Sequence, residues 1–257
     1  MLETLSARFP KSFAYDIEWM ADNEMGPNAL WLTEFLTEAM TIRKGARILD
    51  LGCGKAASSI FLAKEFGAEV WAADLWISPT ENWKRIQEAG LASQVFPIYT
   101  EAHELPFAQN FFDIILSIDA YKYFGTDDMY LPYLINYLKP EGTLGIVVPG
   151  IKEEFGGEVP EHLKPVWEPE LFSLHSPDWW KTHFLKTGLL NVTTSDYLEN
   201  SWEIWRFWEQ YLVDNQLINP NRGDDFLFLC ADRCKSLCLF RIISTKKSKK
   251  AFFLNQD

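Results

Sequence analysis

Residues 46–57 read Ala46-Arg47-Ile48-Leu49-Asp50-Leu51-Gly52-Cys53-Gly54-Lys55-Ala56-Ala57. The run up to Leu51 is apolar enough for a buried strand, and it breaks into a Gly-x-Gly turn. Residues 58–66 then place apolar side chains at helical spacing. Strand, glycine turn and helix in that order open a nucleotide-binding α/β unit. Glycines lack a Cβ and let a ligand approach the main chain closely, and the helix N-terminus beside them offers unpaired N–H groups.

Working outward, Glu69-Val70-Trp71-Ala72-Ala73-Asp74 reads as a second strand that ends in an acid. Asp74 falls about 20 residues after the turn, where such units place the carboxylate that grips ribose hydroxyls. The plainer role for Asp74 is to cap the segment that follows it. Asp50 stands two residues before the first glycine and chooses between ligands. A carboxylate there attracts the cationic ammonium of S-adenosylmethionine and repels the pyrophosphate of a dinucleotide. Gly52-x-Gly54-x-x-Ala57 nevertheless satisfies the looser dinucleotide fingerprint, which keeps a NAD-dependent oxidoreductase as runner-up.

Ahead of the turn, residues 9–20 are aromatic and read either as an ordinary helix on the core or as a lid over the cofactor. In the second reading Tyr15 and Trp19 offer their faces to a sulfonium. Gly26-Pro27 ends that segment, and Asn28 caps a helix over 29–40. After the second strand the pattern predicts a helix over 75–89 with Trp83 and Ile86 inward, started by Ser78-Pro79. Strands follow at 94–99 and 114–118, then a helix over 126–138, a Lys139-Pro140-Glu141-Gly142 turn and a strand over 143–148. Residues 149–188 are too long for a simple connection. They hold His162, His175 and His183, and many aromatic side chains, and read as a substrate cover. A sixth strand over 189–194, helices over 201–213 and 223–234 and a last strand over 236–243 complete the chain. Trp202, Trp205, Trp208 and Leu212 share one helix face, which reads as core, with a substrate wall or dimer interface as the alternative.

Asp50-Leu51-Gly52-Cys53-Gly54 resembles motif I of the class I S-adenosylmethionine-dependent methyltransferases. Glu101-Ala102-His103-Glu104-Leu105-Pro106-Phe107 and Phe112-Asp113 resemble the family segment in which an acid and Ala precede Leu-Pro-Phe and a Phe-Asp pair opens strand four. Lys139-Pro140-Glu141-Gly142 fits the same plan. Ala29-Leu30-Trp31-Leu32-Thr33-Glu34 and Ser117-Ile118-Asp119 are similar to bacterial methyltransferases described as like cyclopropane fatty acid synthase. The resemblance implies a Rossmann-like, doubly wound α/β fold: a mostly parallel seven-stranded sheet in the order 3-2-1-4-5-7-6, with helices on both faces. It implies that Glu101 approaches the adenine amino group and that the Ala102 N–H meets the ring. Family members often carry a histidine near positions 122 and 123, facing the transferred methyl, and this chain has none there.

The cofactor-binding set is then Asp50, Gly52, Cys53, Gly54, Asp74, Leu75, Glu101, Ala102, Ser117 and Asp119. Methyl transfer from a sulfonium needs a base only when the acceptor arrives protonated. Candidates for that role are Tyr15, Lys122, Tyr123, His175 and His183, and candidates for substrate contact are Tyr121, Lys122 and Tyr123. His103, near the adenine segment, is not among them. The expected activity is in-line methyl transfer from S-adenosylmethionine to a small, apolar or aromatic acceptor. A noncatalytic S-adenosylmethionine-binding protein is a further alternative.

At 257 residues the chain reads as a single domain. Its parts are an N-terminal lid or helix (1–40), a cofactor-binding core (41–148), a substrate-cover insert (149–188) and a closing hairpin with helices (189–257). A net charge of −12 argues against bulk nucleic acid as partner and favours a small-molecule substrate. Lys246, Lys247, Lys249 and Lys250 read as a solvated tail. No signal peptide and no membrane span are read, and with four cysteines the setting expected is cytoplasmic with reduced thiols. Cys230, Cys234 and Cys238 read as structural thiols, and no metal is expected on them or on the three histidines. A homo-oligomer stays open.

Overall fold

The computed structural model describes residues 1–217 and 224–248. Seven strands form one sheet: β1 (Arg47–Leu51), β2 (Glu69–Asp74), β3 (Val95–Tyr99), β4 (Phe112–Ile118), β5 (Leu138–Ile151), β6 (Leu190–Tyr197) and β7 (Leu237–Lys246). Their order is β3-β2-β1-β4-β5-β7-β6. All neighbours run parallel except β7, which is antiparallel to both β5 and β6. This is the order that the family resemblance implies. The centre of the sheet is buried on both faces, and β1 and β4 are accordingly continuous apolar runs. The winding reverses between β1 and β4, so a crevice opens beyond their carboxyl ends.

Nine helices are described: α1 (Leu2–Arg8), α2 (Ile17–Asp22), α3 (Ala29–Thr37), α4 (Ala57–Phe66), α5 (Pro79–Glu88), α6 (Tyr130–Leu134), α7 (Pro177–Lys186), α8 (Ser201–Asp214) and α9 (Asp224–Asp232). Apolar clusters fill the two faces of the sheet. One gathers Trp31 and Phe35 of α3, Phe61 of α4 and the indoles of α8. There Trp208 meets Trp31 edge-to-face at 5.4 Å, so the tryptophan stripe of α8 is core. The other gathers Tyr121, Tyr130, Trp180 and Phe184. Caps set the helix starts. The Asn28 side chain accepts from the N–H groups of Leu30 and Trp31. Ser78 and Glu81 close a capping box around Pro79.

The expected elements and the structure part in several places; the helix expected over 75–89, for one, begins only at Pro79. The helix expected over 126–138 is only α6, because Pro132 has no N–H and fits only a first turn. Lys139–Gly142 lies within the span of β5, where it bulges between the pairs Phe112–Leu138 and Ile114–Thr143, with Glu141 at φ 64°. Residues 9–20 form a 3-10 turn and the start of α2, not one helix. Their anchor is the buried Glu34 carboxylate, which accepts from Ser12 Oγ, Ser12 N–H and Lys11 N–H. Trp83 is exposed, since Asn82 and Ile86, one turn apart, take the inward stripe of α5. The insert at 149–188 carries the end of β5, two 3-10 turns and α7, and α7 packs along β6.

Among the described residues no helix is long and apolar enough to cross a membrane. Lys249, Lys250 and residue 223 lie outside the described residues. Lys246 caps the carbonyls of Ile135 and Leu138, and Lys247 caps Gly188.

Arg241 ties the closing hairpin to the helical face. It is buried on β7, forks onto Asp196 of β6, and donates to Glu38 and to the Phe35 carbonyl while lying over the Phe35 ring. Charge-assisted bonds of this kind contribute about 1.5–3 kcal/mol each when a partner is lost. Arg241→Ala is expected to lower the unfolding free energy by about 2–4 kcal/mol in a urea titration. A loss below about 0.5 kcal/mol, the level of a neutral surface change, would contradict this role.

Candidate functional site

The glycine turn is a close-packed device. Gly52 and Gly54 have φ of 74° and 52°, in the left-handed region. A Cβ on Gly52 would stand 2.3 Å from the Cβ of Ala120, and one on Gly54 would stand 2.6 Å from the sulfur of Met25. At Gly52 the turn meets a wall that only glycine tolerates, and at Gly54 the left-handed backbone is what favours glycine. Asp74 locks it to β2. One carboxylate oxygen accepts the Gly54 N–H at 2.8 Å; the other accepts the N–H groups of Trp76 and Ile77 at 2.7 and 2.9 Å. The Gly52 and Cys53 N–H groups donate to the Ala73 carbonyl. Asn82 of α5 donates to the Gly54 carbonyl.

Above this turn lies a cavity of about 290 Å³ at the carboxyl edge of the sheet. Leu51, Gly52, Cys53 and Gly54 form its floor, and Asp74, Leu75 and Trp76 form one wall. Glu101, Ala102 and His103 form another wall, and Asp119, Ala120, Tyr123 and Phe124 close the β4 side. The segment from Met25 to Pro27 crosses over the turn.

Of the residues expected at the site, Gly52, Cys53, Gly54, Asp74, Leu75, Glu101, Ala102, Asp119 and Tyr123 line this cavity. Asp50 and Ser117 do not. Asp50 is fully buried beneath the turn and accepts from Ser58 and Ser59 of α4, each at 2.6 Å. Ser117 is also buried and donates to the Leu51 carbonyl. Both hold the floor in place from beneath and do not line the cavity. Lys122 stands behind the wall, paired with Asp119 at 2.6 Å.

The remaining catalytic candidates are elsewhere. Tyr15 donates to Glu65 and packs on Phe61, and burial together with that carboxylate raises its pKa. Trp19 packs beside it, away from the cavity. His175 and His183 sandwich Trp179 of α7, with ring centroids at 3.8 and 4.9 Å. Burial lowers the pKa of His183. His162 lies near Ser236 and Asp232 instead, so the three histidines do not converge. No residue of 149–188 lines the cavity. Cys238 is buried, with its thiol pushed up to about 12 chiefly by that burial, while Cys230 and Cys234 are half-buried.

Some contributors escaped the sequence reading: Met25 had no part in it, and Gly26-Pro27 appeared only as the end of a segment, while His103 was placed near the adenine segment but not in the binding set. Trp76 follows the acid of β2 but looked like the inside of a helix, although Ser78-Pro79 already marked that helix as starting later. His103 lines the cavity with its ring nitrogen 2.9 Å from Glu101 and its N–H on the other Glu101 oxygen at 2.7 Å. Partial burial acts to raise the Glu101 pKa, but these two bonds outweigh it and leave the carboxylate lowered.

The chemistry of the wall is that of a site for a cation-bearing nucleoside. Asp74, Glu101 and Asp119 line it, and Asp50 lies beneath. Carboxylates suit ribose hydroxyls, an adenine amino group and a sulfonium. They oppose phosphates, and the Gly54 N–H that a pyrophosphate would need is held by Asp74. The glycine cradle and donor set therefore fit S-adenosylmethionine and do not fit a dinucleotide.

A model of the family described as a methyltransferase domain matches residues 48–142. The chain is 30% identical over 116 residues to the methyltransferase GfsG of Streptomyces halstedii, a match covering 45% of this chain and 42% of that protein. It is 25% identical over 185 residues to the chloroplastic tocopherol O-methyltransferase of Arabidopsis thaliana, covering 66% and 51% respectively. Its fold is similar to that of Haemonchus contortus phosphoethanolamine N-methyltransferase 2 in complex with S-adenosyl-L-methionine. That likeness has a TM-score of 0.72 at 18% identity, over 95% of this chain and 57% of the other. The chain spans about half the length of the curated relatives it matches.

Asp50 makes the turn pH-sensitive. Burial pushes its pKa up to about 6, the Ser58 and Ser59 bonds pull it back, and the Asp74 charge adds to the rise. Its other carboxylate oxygen is buried without a hydrogen bond. Between the ordinary value of 3.8 and about 6, the folded chain holds a proton that the unfolded chain has lost. Stability from this group is thus present at low pH and lost as pH rises through that window, by about 3 kcal/mol. Asp50→Asn, which has no such proton to lose, is expected to gain about 2–3 kcal/mol on the wild type between pH 4 and pH 7 in urea unfolding. Parallel pH profiles for the two proteins would contradict the assignment.

Proposed function

We propose that the chain is a class I methyltransferase that transfers a methyl group from S-adenosylmethionine to a small-molecule acceptor, a reading supported by the match of residues 48–142 to a methyltransferase-domain model. The observation that carries this reading is the Asp74 carboxylate bonded to the Gly54 N–H at the floor of a carboxylate-lined cavity. When bound, the cofactor supplies an electrophilic methyl group on a sulfonium. In this reading Asp74 holds the ribose, and Leu75 and Ala102 flank the adenine. Glu101 takes the adenine amino group while keeping its bond to His103. Asp119 adds negative charge on the β4 side.

Tyr15, His175 and His183 stand outside the cavity and Tyr123 lines it, and in this reading the chain's main part in the reaction is placement. It holds the acceptor in line with the methyl and excludes water, and proximity of this kind can supply several kcal/mol of the barrier, about 7–11 at best. The net charge of −12 supports a small molecule over nucleic acid as acceptor. Four free thiols support a cytoplasmic setting.

The test is calorimetric titration of the wild type and Asp74→Ala with S-adenosylmethionine, S-adenosylhomocysteine and NAD, with melting curves to confirm that the variant is folded. Micromolar binding of the first two, weakened at least tenfold in the variant, and no binding of NAD are expected. Binding of NAD alone would sink the methyltransferase reading. Cofactor binding without turnover of any acceptor would favour a noncatalytic binding protein.

A further inference from the structure

The mouth of the cavity carries two aromatic rings that the fold has no need to expose. Trp76 is 67% exposed and Tyr123 is 52% exposed, and both line the cavity. Their centroids are 5.4 Å apart with planes at 60°. Leu75, also exposed, continues the apolar rim. Most other aromatic side chains here are packed inside the two cores.

Both rings are displayed on rigid stems. The Trp76 N–H is fixed on the Asp74 carboxylate, and the Ile77 N–H beside it makes a second bond to the same oxygen. Tyr123 closes a 3-10 turn through its N–H to the Ala120 carbonyl. That turn is seated by the fully buried Tyr121, and the Lys122 ammonium lies 4.8 Å from the Tyr123 ring centre. Rigid aromatic faces beside a cavity bind flat apolar ligands at little entropic cost.

In the reading above the carboxylates of the wall serve the cofactor, and they also hold donors of the chain. Asp74 holds three N–H groups, Glu101 holds His103 and Asp119 holds Lys122. The insert and the tryptophan helix, which the sequence offered as acceptor walls, lie away from the cavity. Trp76 and Tyr123 are the exposed aromatic side chains among the residues that line the cavity.

We propose that Trp76 and Tyr123 are the specificity-determining residues for the acceptor, and that the acceptor is a planar aromatic molecule held against this pair. The proposal rests on the methyl-transfer reading above. For a hydroxyl on such a ring, the carbon–sulfur bond breaks with its electron pair going to sulfur. The carbon–oxygen bond forms, and the hydroxyl proton leaves to bulk water. Trp76 and Tyr123 already meet edge-to-face at 5.4 Å, and in this proposal a third ring adds to the pair through the face and edge contacts that aromatic side chains prefer.

The experiment measures S-adenosylhomocysteine release with hydroquinone and 2-methylhydroquinone, and with glycine and ethanolamine as polar controls. The proteins are the wild type, Trp76→Ala, Tyr123→Ala, Trp76→Phe and Tyr123→Phe, each titrated separately with S-adenosylmethionine. Both side chains are exposed, and the variants are checked by thermal melting. Turnover of the hydroquinones is expected. Each Ala variant raises KM about tenfold, each Phe variant restores most of it, and cofactor affinity stays within twofold. Three results would overturn the proposal while leaving methyl transfer standing: turnover of the amines alone, no turnover of either hydroquinone, or Ala variants that lose cofactor affinity with an unchanged acceptor KM. The last would mean that the rings serve the adenine. A wild type that fails to bind S-adenosylmethionine removes the methyl-transfer reading and this proposal with it.

Discussion

A single carboxylate, Asp74, joins the end of β2 to the turn that follows β1. One of its oxygens holds the Gly54 N–H, and the other holds the start of the segment that carries Trp76. The floor of the cavity, its wall and its exposed ring therefore share one anchor. The parallel pairing of β1 with β2 brings these groups together by setting Leu51 beside Ala73. Remove that register and the turn loses the N–H acceptors on which its left-handed glycines depend. The tight approach of Ala120 and Met25 then fixes the turn from both sides.

Negative charge is concentrated here at a cost. Asp50 lies beneath the turn without solvent; burial raises its pKa, the Ser58 and Ser59 bonds pull it back, and the Asp74 charge adds a smaller rise. Such a group disfavours a second anion above it and favours a cation. The arrangement makes chemical sense for a ligand with a sulfonium and an ammonium, and none for one with phosphates. The same electrostatics explain why each carboxylate of the wall carries its own donors, since like charges at this density require them.

Much of the fold was legible in local sequence. Buried parallel strands are continuous apolar runs, so β1, β2 and β4 stood out. Asn28 and Ser78-Pro79 announced helix starts through groups that satisfy N–H donors within a few residues. The order of the strands came from resemblance, because periodicity says nothing about which strand lies beside which. Side-chain direction was the first thing lost. Asp50 looked like a ligand because it is near the glycines in sequence, but on a strand the neighbour of a cavity-lining residue points to the opposite face. The insert is a related case. Trp180 and Phe184 are buried in the core against the sheet, Phe172 is exposed, and no residue of 149–188, His175 and His183 included, lines the cavity. Tyr15, on the N-terminal segment, does not line it either. Trp76 was hidden because a helix expected from residue 75 starts at Pro79, leaving four residues for the cavity rim.

The most direct measurement is a crystal structure of the chain with S-adenosylhomocysteine. The ribose hydroxyls are expected within hydrogen-bond distance of the Asp74 carboxylate, with the adenine between Leu75 and Ala102 and the homocysteine over Gly52 and Gly54. An adenosine bound away from Asp74, or a cavity left unfilled at saturating ligand, would contradict the site as described.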